Sequence, residues 1–124
     1  MLEIDINGNI TVNKGDTFEA PIFMDINESK FDSSRLPVED GWLLYFGVME
    51  ANMPFALSLV KKTLTKDDLN EHGDFVVKFS HDDTRCLMPG PYFYEAKLFI
   101  PGDESGEEDK IITVVPRRKF TLLN

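Results

Sequence analysis

Cysteine is nearly missing from this chain: Cys86 stands alone among 124 residues. No intrachain disulfide can form, so the fold must rest on its core, and a reducing folding compartment such as the cytoplasm is expected. Histidine is almost as scarce. His72 and His81 lack the H-x-x-x-H spacing of a zinc site, and both are read as surface or turn residues. No apolar run approaches the length of a membrane span. Met1–Asp5 is acidic and lacks a long apolar run, so no signal peptide is expected. Basic residues are outnumbered, 13 against 22 acidic ones, for a formal charge of −9. That balance lacks the Lys/Arg stripe a nucleic-acid partner requires, and it opposes docking on anionic membranes. The nucleophile-elbow pattern G-x-S-x-G is missing, as is a Gly-rich phosphate loop. Gly90-Pro91 cannot substitute, because Pro91 has no backbone donor.

Aromatic residues are plentiful: ten Phe, three Tyr and one Trp within an apolar fraction of 42%. Such side chains fit a pleated, half-buried surface and favour strands. At this length, folding as one domain over 1–124 buries roughly 65% of the unfolded chain's surface, enough for one core.

The clearest strand is Tyr92–Ile100. Tyr92, Tyr94, Ala96, Leu98 and Ile100 share one face, and Phe93, Glu95, Lys97 and Phe99 the other. Asn7-Gly8 between two apolar-alternating runs predicts a hairpin with a type I′ turn. Lys14-Gly15-Asp16 is a second turn. Thr17–Asp25 alternates but contains Pro21, which predicts an edge strand or a bulge. Ile26–Asp40 has no period and reads as a long loop. Gly41–Ala51, with Trp42, Leu44, Phe46 and Val48, predicts a strand buried on both faces. Further strands are expected at Phe55–Leu64, Asp74–Ser80, Lys110–Val115 and Arg117–Leu123, the last two separated by Pro116. Thr65–Asn70 is a polar connection with one helical turn. A second short helical turn is expected near 81–88, capped by Ser80 or Asp82 and ended by Gly90. About seven to nine short strands separated by Gly, Pro, Asn and Asp make an all-β, antiparallel sandwich or barrel.

Candidate sites are few. Asp5, Asn7 and Asn9 imitate the start of a calcium loop, but Ile10 replaces the required Gly and no Glu closes it, so a hairpin turn is the better reading. Asp67, Asp68 and Glu71, like Asp82 and Asp83, sit in polar stretches suited to capping rather than acid–base work. Cys86 beside Arg85 is read as a small buried hydrophobe. Tyr92 and Tyr94 are read as core residues, with an aromatic carbohydrate clamp of Trp42, Tyr45 and Phe93 as an alternative. No catalytic residue, cofactor or metal ligand is nominated. Arg117, Arg118 and Lys119 form the one basic cluster, and alternation puts Arg118 on the opposite face. They read as a charged edge strand that blocks aggregation, or as half of a partner-binding surface. The acidic loop residues Asp103, Glu104, Glu107, Glu108 and Asp109 would be its complement on a neighbouring subunit.

Three segments carry a family resemblance. Ile10-Thr11-Val12-Asn13-Lys14-Gly15-Asp16-Thr17-Phe18 resembles the opening I-x-V-x-(K/R)-G-D-T/S-F of small tailed-phage virion proteins. Asp83-Thr84-x-x-Leu87-x-x-Gly90-x-Tyr92-x-Tyr94-Glu95 resembles their D-T-x-x-L-x-x-G-x-Y-x-Y-E/D segment. Thr113-Val114-Val115-Pro116 followed by Lys119-Phe120-Thr121-Leu122 is similar to their closing strand. Similar segments occur in the N-terminal domain of phage baseplate upper proteins and in related tail and neck modules.

The resemblance implies an Ig-like β-sandwich that acts as a non-enzymatic structural protein of a virion. It would fold in the host cytoplasm, bind other virion structural proteins through edge strands and loops, and form a homo-oligomer in the particle. A baseplate upper protein would continue beyond such a domain, whereas this sequence stops at Asn124. The expectation is therefore a free-standing tail, baseplate or neck accessory, or a capsid decoration protein.

Overall fold

A computed structural model describes residues 2–24, 38, 40–102, 106 and 108–124. Eight strands are present among them: β1 (Leu2–Ile4), β2 (Ile10–Asn13), β3 (Phe18–Ile22), β4 (Leu43–Met49), β5 (Val60–Leu64), β6 (Phe75–Phe79), β7 (Gly90–Ile100) and β8 (Lys110–Leu123). One short helix, α1 (His81–Thr84), precedes β7. Six strands form a curled sheet in the order β1-β2-β8-β7-β4-β5, and β3 and β6 form a two-stranded sheet. The fold is all-β, as the pattern of short strands and turns predicts.

Alternation decides which face each strand buries. On β7, Tyr92, Tyr94, Ala96, Leu98 and Ile100 point into the core, and their odd-numbered neighbours stay half-exposed. Phe18 and Phe79 face each other across the β3–β6 pair with rings stacked at 4.6 Å. Phe79 in turn meets Phe120 of β8 at 5.6 Å and the edge of Phe46 of β4 at 5.8 Å. These aromatic contacts bind the two sheets together.

Several local expectations need correction. The β1–β2 connection is not a two-residue turn. It runs over Asp5–Asn9, only Gly8 takes a positive φ (83°), and the Asp5 carboxylate organises it by accepting from the Asn7 and Asn9 N–H groups and the Asn9 amide. One pairing is parallel: β2 lies beside β8 with Ile10 opposite Phe120. Phe55–Leu64 is not one strand, because Pro54 starts a 3-10 turn at Phe55–Leu57 and β5 begins only at Val60. Pro116 does not separate two strands. β8 runs through it, and the β7–β8 register shifts between Tyr94 and Lys97 absorb the extra residues as a bulge. The helical turn ends at Thr84, well before 88, and Gly90 opens β7 instead of ending a helix.

Other expectations match. Pro21 sits on β3, whose single ladder partner among the described residues is β6. Ser80 caps α1, and Thr65 and Asp68 cap a 3-10 turn at Lys66–Asp68. Of Ile26–Asp40, only Val38 and Asp40 fall among the described residues. No helix among the described residues is long and apolar enough to cross a membrane.

Candidate interaction surface

β4 carries a glycine where its neighbours carry bulk. Gly47 pairs with Glu95 of β7 on one side and Lys61 of β5 on the other, so it points to the outer face of the six-stranded sheet. A Cβ there would overlap the Ser58 hydroxyl and come within 2.9 Å of the Phe55 ring. The segment between β4 and β5 thus lies directly on the sheet as a flap. Asn52 turns it with a φ of 68°, and the Ser58 hydroxyl donates to the Phe55 carbonyl at 2.6 Å. Beneath it Met49, an outward position by alternation, is fully buried.

Arg117 holds this flap down. Its Nε donates to Glu95 Oε1 at 2.7 Å, and its Nη2 reaches the Met53 carbonyl and Met49 Sδ, each at 2.9 Å. Lys97 leans over the Phe55 ring, 5.1 Å from its centroid. Between the flap and β5 a cavity of about 180 Å³ is lined by Tyr45, Phe55, Ala56, Lys61 and Thr63, among others.

The flap covers only part of the outer face. Beyond it, Leu43, Phe99 and Ile111 stand directly opposite one another across β4, β7 and β8. Leu43 and Phe99 are partly buried and Ile111 is 65% exposed. An antiparallel sheet that faces water on one side ordinarily presents polar residues there, so this row is an exposed apolar stripe. No sequence signal isolated it, because Ile111 and Phe99 read as ordinary strand residues until the register aligns them.

The basic cluster splits as alternation predicts. Arg117 serves the flap. Arg118 turns the other way, with its guanidinium against Gly8 and beside the Tyr94 hydroxyl. Lys119 is exposed, and its N–H donates to Asn9 Oδ1. Of the acidic loop, Glu108 and Asp109 are exposed, and Asp109 Oδ1 accepts from the Gly102 N–H at 2.8 Å. Asp103, Glu104 and Glu107 lie outside the described residues. At about 3.3 Å per residue, Asp109 is roughly 25 Å along the chain from Arg117, so these two residues do not meet within one chain.

The remaining candidates resolve one by one. Trp42 is only 3% exposed and cannot stack on a sugar, which removes the clamp's centre. Cys86 is exposed, contrary to its reading as a buried hydrophobe. It follows α1, where Leu87 rather than Cys86 packs toward the core. Tyr92 and Tyr94 are core residues whose hydroxyls donate to the carbonyls of Met88 and Gly8. His81 bonds the Gly15 carbonyl through Nδ1 at 2.9 Å, and His72 is exposed beside Glu71. Among the described residues, no three His, Cys, Asp or Glu side chains are grouped to hold a metal ion.

Neither a family model, nor a curated protein, nor a solved structure matches the chain.

Proposed function

We propose that this protein is a non-enzymatic assembly subunit that binds further copies of itself through the outer face of its six-stranded sheet. The observation that carries the reading is the apolar row Leu43–Phe99–Ile111, partly buried at Leu43 and Phe99 and open to solvent at Ile111, beside a flap that covers its neighbours. Two copies each carrying a net charge of −9 repel one another at long range, so the apolar row has to supply the attraction. A tailed-phage virion is the assembly the sequence resemblance points to, with other virion structural proteins as further partners.

The resembling segments support the framework more than the activity. They contribute β2, β8 and β7, which are adjacent in the sheet. The Gly15 N–H of the first segment donates to the buried Thr84 hydroxyl of the second at 2.8 Å, which joins the turn before β3 to the end of α1. Sedimentation velocity across a micromolar concentration series, alone and with virion proteins, tests the reading. Concentration-dependent association is expected. A persistent monomer that captures no virion protein would overturn it.

A further inference from the structure

The apolar row Leu43–Phe99–Ile111 has unlike charges on its two sides. Toward the flap, the next outward row is Thr113, Lys97, Tyr45 and Thr63, paired across β8, β7, β4 and β5. Lys97 is its cation. It forms no ion pair among the described residues, and Glu95, the acid of its own strand, is neutralised by Arg117 at 2.7 Å. On the opposite side, Asp109 immediately precedes β8 and shares the outward phase of Ile111 and Thr113. The Gly102 N–H that it accepts from is a neutral donor, so Asp109 keeps its charge. Glu108 beside it is exposed, whereas Lys110 has the opposite phase and pairs with Ile100.

This order of acid, apolar row and cation is self-complementary under one two-fold rotation only. Two sheets meeting face to face keep their strands roughly aligned, so the axis runs either along the strands or along the row. An axis along the strands lays each row on its own counterpart, which sets Lys97 on Lys97, Asp109 by Asp109 and flap against flap. An axis along the row reverses the strands. The apolar row then still packs on itself, while the Lys97 row, about 6.6 Å to one side, faces the partner's acidic side. The flap, one row further out, stands past the ends of the partner's β7 and β8. We propose that the self-associating unit is a two-fold dimer with its axis along Leu43–Phe99–Ile111, in which Lys97 of each copy faces Asp109 of the other. This rests on the self-association proposed above and adds its orientation. The apolar row supplies the attraction, and the charges beside it choose between the two axes.

Sedimentation equilibrium of the full chain and its charge variants tests this. Lys97→Glu and Asp109→Lys should each raise the dimer Kd about fivefold, because each places like charges at both symmetric contacts. Asp109→Lys is the sharper of the two. It makes the chain less negative, so long-range repulsion alone predicts tighter association. The double variant Lys97→Glu/Asp109→Lys keeps the wild-type net charge and should associate within about twofold of wild type. If Asp109→Lys does not fold, Asp109→Asn, which retains an acceptor for the Gly102 N–H, should still weaken association about twofold. Association that Ile111→Glu abolishes but a folded Asp109 variant leaves unchanged or tightens would overturn this orientation and leave the apolar interface standing. Failure of the folded double variant to recover would do the same. No association of the wild-type chain would overturn both.

Discussion

Lys62 of β5 forms an ion pair of 2.8 Å with Asp83 of α1, tying the edge of the six-stranded sheet to the helix that follows β6. The lysine points inward from an edge strand, over the Phe79 ring at 5.6 Å, a placement that discourages edge-to-edge pairing. The same Asp83 oxygen accepts the Ser80 N–H at 2.7 Å.

Asp83 therefore makes stability depend on acid. Burial pushes its carboxyl up, but the Lys62 hydrogen bond, the Ser80 N–H and the Lys62 charge outweigh burial and hold it below the ordinary 3.8. A depressed folded value means the contribution is fully present above 3.8 and is lost as pH falls through the folded value. Asp83→Asn should cost about 1 kcal/mol at neutral pH. Urea denaturation curves of variant and wild type should converge in acid, and a gap unchanged with pH would contradict this account.

Tyr94 fastens the β1–β2 turn to the core through its hydroxyl and the Gly8 carbonyl. Tyr94→Phe should cost about 1–2 kcal/mol, because that carbonyl loses its donor. Burial pushes the phenol above its ordinary value of 10, against the opposing pull of Arg118. A raised folded value gives stability that is present below pH 10 and lost as pH climbs through it. Alkaline unfolding followed by circular dichroism should accordingly be shallower in the phenylalanine variant.

Gly47→Ala puts a methyl group where Ser58 and Phe55 press on the sheet. A loss of about 1–3 kcal/mol is expected from overpacking. Limited proteolysis should cut the variant faster between Asn52 and Leu59. Wild-type resistance would show that the flap does not rest on Gly47.

Arg117 is a clamp with three acceptors, so charge alone should not replace it. Arg117→Lys and Arg117→Ala should both cost about 1–2 kcal/mol, since each leaves the Glu95 and Met53 oxygens short of donors. Hydrogen exchange at the Ser58 N–H, which donates to Phe55, should quicken in both variants. Full rescue by lysine would contradict the fork geometry.

What was legible in the sequence was whatever depends on neighbours along the chain. The alternation of Tyr92–Ile100, the edge character given by Pro21 and the Ser80 cap are local facts, and they read correctly. Pro116 looks the same whether it ends a strand or sits in a bulge; only the pairing of β8 with β7, set by residues near position 95, decides. Gly47 hides within an apolar run because its reason is a flap that returns ten residues later. Arg117 and Arg118 were visible as a cluster and as facing apart. Yet Glu95, Met53 and Gly8, which give each its task, lie far from them in sequence. The row Leu43–Phe99–Ile111 exists only once three strands are in register.

The account rests most on that row, and replacing Ile111 with glutamate tests it directly. Ile111 is exposed, so the Ile111→Glu variant should fold with stability within about 0.5 kcal/mol of wild type. Sedimentation velocity should show wild-type chains associating as concentration rises and the variant remaining a monomer throughout. Association equal in both, or no association in wild type with or without virion partners, would contradict it.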